Sequence, residues 1–182
     1  QDKLPLWIAT GGHVESTVKI AQAGLPIVYA IIGGNPRYFK KLIQAYREIG
    51  SEEGHASHEL KVGAHSWGWI AEDGEQAVKD YFHPTKQVVD AISKDRPHWQ
   101  ELRYEQYLEQ VGPNGAMFVG NPDQVAEKLI RMIEDLSLDR FMLHLPLGSM
   151  PHEQVMRAIE LFGTQVAPKV RAYFAMKEAY TQ

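Results

Sequence analysis

Residues 4–25, LPLWIATGGHVESTVKIAQAGL, run from an apolar strand through a Gly-Gly turn into an amphipathic helix. From Leu4 to Thr10 the apolar residues are nearly continuous rather than alternating, the pattern of a parallel strand buried on both faces. Gly11 and Gly12, directly after Thr10, tolerate positive φ and let a ligand approach the backbone closely. The helix that follows presents free N–H groups and the positive end of its dipole, which together attract an anion. Ser16 stands within the first turn, where its hydroxyl serves either a phosphate oxygen or an ordinary capping role. The turn therefore reads as a phosphate cradle or as a plain tight turn, and its spacing alone leaves both open.

The same grammar repeats outward. Gly24 and Pro26 end the first helix. Ile27 to Ile32 form a second apolar strand, and Gly33-Gly34-Asn35-Pro36 lead through an N-cap and a first-turn proline into a helix reaching about Gly50. Phe39, Leu42, Ile43 and Tyr46 make its apolar stripe, with Arg37, Lys40, Lys41 and Arg47 elsewhere as a solvated basic face. The polar loop 51–59 holds His55 and His58, but a metal site needs further ligands in a rigid setting, so none is expected.

Leu60 to Ala71 reads as a third strand. Alternation puts His65, Trp67 and Trp69 on one face, so His65 is either a hydrogen-bonded core histidine or part of a surface that meets a planar ligand. A helix follows Glu72-Asp73-Gly74, and Pro84 is expected to break it in two. Pro97 sets off a short helix from His98 to about Glu109, making this region a helical insertion. Gly115 to Gly120 lead to the N-cap Asn121, and Val125, Leu129, Met132, Ile133 and Leu136 form the stripe of a strongly amphipathic helix. Arg140 to Pro146 make a fourth strand with His144 near its carboxyl end, where sites gather in parallel α/β folds. A final helical region includes Ile159, Leu161 and Phe162.

The composition is that of a globular protein: 182 residues, 44% hydrophobic and 23% charged. A net charge of −4 argues against a nucleic-acid surface. The absence of cysteine excludes disulfides, thiolate metal sites and a cysteine nucleophile, and makes the cytoplasm the default setting. No apolar run approaches the roughly 20 residues of a membrane span. Four strands do not close a barrel, whereas eight do. With a chain that begins almost directly on a buried-type strand, this favours a single α/β domain, residues 1–182, forming the C-terminal half of a (β/α)8 barrel whose N-terminal half is absent. The strands Leu4–Thr10, Ile27–Ile32, Leu60–Ser66 and Arg140–Pro146 are expected to lie parallel and adjacent in that order. Half a barrel exposes edges and interior, so either its missing half or a second copy of the chain is expected to cover it.

The segments ATGGHVESTVKIAQAGLPIVYAIIGG, NPRYFKKLIQAYREIG, HSWGWIAEDGEQA and the run from GAMFVGNPDQVAEKL through APKVR resemble, in the same order, the C-terminal half of luciferase-like flavin monooxygenases. The resemblance implies that Gly11 and Gly12 offer backbone N–H groups after Thr10 to the phosphate of FMN, with Ser16 as hydroxyl donor. It also implies that Ala30 and Ile31 lie against the flavin ring, with His65 as a candidate catalytic residue. The implied activity is oxidation of a small organic substrate by reduced FMN and O2, the FMN coming from a separate flavin reductase; some relatives use a deazaflavin for hydride transfer instead. The flavin carries the chemistry, so no side-chain nucleophile is required. A flavin-binding relative without turnover and a small phosphate-binding α/β module are the other two readings. A flavin absorbance separates the module from the rest, and oxygen consumption with reduced FMN separates enzyme from binder.

Overall fold

The computed structural model describes residues 4–96 and 99–181. Its centre is a parallel sheet of β1 (Ile8–Thr10), β2 (Ile27–Ala30), β3 (Val62–Ile70), β4 (Phe118–Gly120) and β5 (Arg140–His144). Helices α1 (Val14–Gln22), α2 (Phe39–Glu52), α3 (Gly74–Asp95), α4 (Tyr104–Val111), α5 (Pro122–Leu136), α6 (His152–Leu161) and α7 (Ala167–Thr181) alternate with the strands or close the chain. The expected strand order is borne out: β1 pairs with β2, β2 with β3, and β3 with β5, all parallel. This is a partial (β/α)8 barrel.

Register divides the side chains between two faces, because Cα partners on neighbouring strands point the same way. Ile27, Tyr29, Val62, Ala64 and Ser66 lie on the helix-covered face and are fully buried. There Thr17 of α1 and the Tyr29 hydroxyl share a 3.2 Å hydrogen bond, and Phe39 sets its ring edge on Tyr29 at 5.6 Å between centroids. Ala9, Ala30, His65, Met142 and His144 belong to the opposite, open face. Asp139 pins β5 to β3 at their amino ends: its carboxylate accepts from the Val62 N–H at 2.8 Å while its own N–H donates to the Val62 carbonyl.

Three expectations about elements are corrected. Leu4 to Trp7 precede the first paired residue, Ile8, and lack a strand partner, so Leu4 and Leu6 stay exposed. Phe118–Gly120 form an additional strand, because β3 continues to Ile70, past its pairings with β2 and β5, and its last three residues pair with them. A Cβ at Gly68 would lie 2.4 Å from the Phe118 carbonyl oxygen, which is why this closest approach falls on a glycine.

The third correction concerns α3, which runs unbroken through Pro84. A proline inside a helix costs about 3 kcal/mol, but Ala77, Tyr81, Thr85 and Val89 recur every fourth residue and all are buried. Their packing outweighs the lost bond, and the Thr85 hydroxyl donates to the Tyr81 carbonyl at 2.6 Å on the same turn. In the insertion, the expected helix start at His98 lies outside the described residues. The helix that forms is Tyr104–Val111, docked on α3 through Phe82 against Tyr104 and Tyr107. Asp90 of α3 accepts the Leu102 N–H at 2.9 Å and thereby fixes the approach to it. Among the described residues no helix is long and apolar enough to cross a membrane.

Candidate functional site

In a parallel sheet all carboxyl ends lie on one side, and here that side collects the Gly11-Gly12 turn after β1, the Gly33-Gly34 turn after β2 and His144 at the end of β5. Gly12 has φ +95, so the turn requires a residue that enters the left-handed region without strain. Its N–H reaches the Thr10 hydroxyl at 3.3 Å. A Cβ on Gly12 would lie 2.8 Å from Phe39 Cε1, so the glycine also makes room for an α2 side chain, whereas a Cβ on Gly11 would meet nothing within 4 Å. The backbone at Gly11 is thus open to an approaching group.

The start of α1 is uncapped. The N-cap residue, His13, makes no side-chain bond to the first turn, and the earliest helical acceptor is the His13 carbonyl, taken by the Thr17 N–H at 3.0 Å. By contrast, side chains cap three other helical starts: Asn35 accepts from the Arg37 N–H, Asp73 from those of Glu75 and Gln76, and Asn121 from that of Gln124. Helix starts normally find a partner for these donors; α1 and α6 both begin without a side-chain cap, and α1 is the one that follows the open Gly11-Gly12 turn. Ser16 is half-buried in its first turn. Glu15 would oppose an anion there, but its carboxylate is exposed and engaged with Lys19 at 2.7 Å.

Ala30, half-buried at the carboxyl end of β2, is in register with His65. Ile31 is placed differently: its side chain is fully buried in the core, while its N–H and carbonyl are bound by the His65 carbonyl and the Ser66 hydroxyl at 2.8 and 2.9 Å. It holds the strand end in place and offers no open surface. His65 and His144 come together across β3 and β5 with ring centroids 5.6 Å apart. Burial, and after it the charge of His144, holds the His65 imidazole below its ordinary pKa. A groove of about 410 Å³ lies near the carboxyl end of β2, lined by Ile32, Gly33, Gly34, Trp67, Trp99 and Leu102 among others. His55 is used elsewhere, with Nε2 at 2.8 Å from the Gln22 carbonyl at the end of α1.

Lys128 is a further candidate, outside the residues that the sequence motifs single out. It is buried in α5, and its ammonium donates to the carbonyls of Gln110, Val111, Gly112 and Met117 at 3.3, 2.9, 2.7 and 2.6 Å. The signal was present: Lys128 falls three after Val125 and four before Met132, on the apolar stripe of its own helix.

The family model of luciferase-like monooxygenases matches residues 1–140. No curated protein matches the sequence. Among solved structures, the monooxygenase RslO1 from Streptomyces bottropensis is 20% identical with a TM-score of 0.72, over 89% of this chain and 47% of that one. The coenzyme F420 dependent tetrahydromethanopterin reductase of Methanopyrus kandleri is 17% identical, TM-score 0.61, over 91% of this chain and 50% of that one. The oxygenating constituent of 3,6-diketocamphane monooxygenase from Pseudomonas putida, in complex with FMN, is 16% identical, TM-score 0.61, over 90% and 48%. The chain thus spans about half the length of each of these proteins.

Proposed function

The chain belongs to the luciferase-like monooxygenase family, and on that premise we propose that it is the flavin-phosphate half of an FMN-dependent monooxygenase, a single unit over residues 1–182. The observation that carries this reading is the open Gly11-Gly12 turn feeding an uncapped helix start. A phosphate there receives the backbone N–H groups after Thr10 and the hydroxyl of Ser16, and the uncapped donors fit that charge. Ala30 supplies a small surface beside the ring, with Ile31 behind it. His65 stands level with Ala30 as the candidate catalytic group.

Bound reduced FMN supplies the oxidising chemistry by reacting with O2, and a separate flavin reductase delivers it. The chain's own work is to anchor the phosphate, hold a small organic substrate near the Trp67 groove and keep water away from it. The cysteine-free sequence supports a cytoplasmic setting. Half a barrel needs the other half, and we assign its cover to further chain or to a second copy. A deazaflavin is the second reading, favoured by the F420-dependent likeness; it would use the same phosphate turn.

Titration of the protein with FMN tests this. Ser16→Ala removes one hydrogen bond to a charged group, worth about 1.5–3 kcal/mol, and should weaken FMN about 10- to 150-fold. Unchanged affinity would put the phosphate elsewhere. Oxygen consumption with reduced FMN then distinguishes an enzyme from a flavin binder.

A further inference from the structure

The open face of the sheet is apolar except for its bases. By register it carries Trp7, Ala9, Val28, Ala30, Gly63, Trp67 and Met142, and its ionisable groups are His65, His144 and Arg140. Arg140 sits four residues before His144, about 13 Å along the strand, with its guanidinium over the Trp7 ring at 4.6 Å. No carboxylate of β1, β2, β3 or β5 faces this side. From the insertion, Glu109 of α4 lines the groove that Trp67 borders. The two imidazoles are inclined by 36°, and neither ring makes a hydrogen bond among the described residues. His65 is half-buried and His144 exposed, so two imidazoles without a compensating acid on their face offer their ring nitrogens to a ligand from the same side.

We propose that His65 and His144 together receive an anionic oxygen, a carboxylate of the substrate. This deepens the flavin reading and rests on it only for location: His65 is in register with Ala30, so the bound carboxylate lies beside the ring. A neutral imidazole keeps one N–H donor, and burial, with a charge on His144 after it, disfavours the charged form of His65. Each ring then donates one N–H to the oxyanion. A carboxylate between them favours the charged form of His65, against the burial and the neighbouring imidazole that lower its pKa.

Histidine Cε1–H resonances of the protein, followed against pH with and without benzoate, test the pair. His144→Asn should raise the His65 pKa toward the ordinary value, because it removes a like charge. Benzoate should raise it in the parent, benzyl alcohol of the same shape should not, and His65→Asn or His144→Asn should weaken benzoate at least tenfold. An unmoved His65 in the His144 variant, or benzoate binding equally well to all forms, would overturn the proposal. So would FMN alone producing the benzoate shift and displacing benzoate, because the oxyanion would then be the cofactor's. FMN affinity measured on the same samples keeps the two readings apart: its loss with the benzoate response intact sinks the flavin assignment and leaves this receptor standing.

Discussion

Lys128→Met should destabilise the protein by about 2–5 kcal/mol, although it replaces a buried ammonium with an apolar side chain of similar length. Two of the four carbonyls facing Lys128 keep another donor: Gln110 accepts from the Met117 N–H and Gly112 from that of Gly115. Those of Val111 and Met117 have Lys128 as their donor among the described residues. Each orphaned carbonyl costs about 1–3 kcal/mol, and the relief of desolvating no charge offsets part of it. Burial, and after it the charge of Arg131, pushes the Lys128 ammonium down to about 7, against the pull of the carbonyl dipoles. The unfolded chain, with an ordinary lysine near 10.4, then binds more protons than the folded one between about 7 and 10.4. Stability should therefore rise with pH across that window and fall as the pH returns to 7. Urea unfolding at several pH values checks both parts: a Met variant within 0.5 kcal/mol of the parent, or one with the same pH slope, would remove Lys128 from this role.

Gly12→Val should cost about 2–4 kcal/mol of stability together with most FMN binding. The left-handed backbone at φ +95 resists a β-branched side chain, and its Cβ would press on Phe39, whose ring packs on buried Tyr29. Gly11→Val provides the contrast. A Cβ there meets no protein atom within 4 Å, so the fold should hold while the side chain obstructs the phosphate. Thermal melts paired with flavin titration separate the two variants, and a Gly11→Val protein that binds FMN as tightly as the parent would contradict the cradle.

What the sequence displayed were features with a local cause. The continuous apolar runs of β2 and β5, the caps at Asn35 and Asn121, and the helix end at Gly24 each follow from neighbouring residues, and all are present. Features decided by distant partners were not legible. Pro84 sits inside α3 because four buried residues outweigh its local cost. Phe118–Gly120 become a strand only because β3 overshoots its other partners. His65 and His144 each stand out alone in the sequence, yet they are 79 positions apart, and only the β3–β5 register reveals them as a pair. Ile31, by contrast, points inward by the strand alternation that puts Ala30 on the open face, a local rule that the sequence does contain.

The long β3 carries a consequence for biosynthesis. Its residues Gly63–Trp67 wait for β5, which leaves the ribosome only after α3, α4 and α5. At about 5–20 residues per second, the roughly 75 residues between the end of β3 and His144 take on the order of 4–15 s, during which that edge has no native neighbour. A nascent chain stalled before Arg140 should therefore remain open to protease at β3, and one stalled well past His144 should be resistant. Equal resistance at both lengths would mean that the edge is covered by something other than β5.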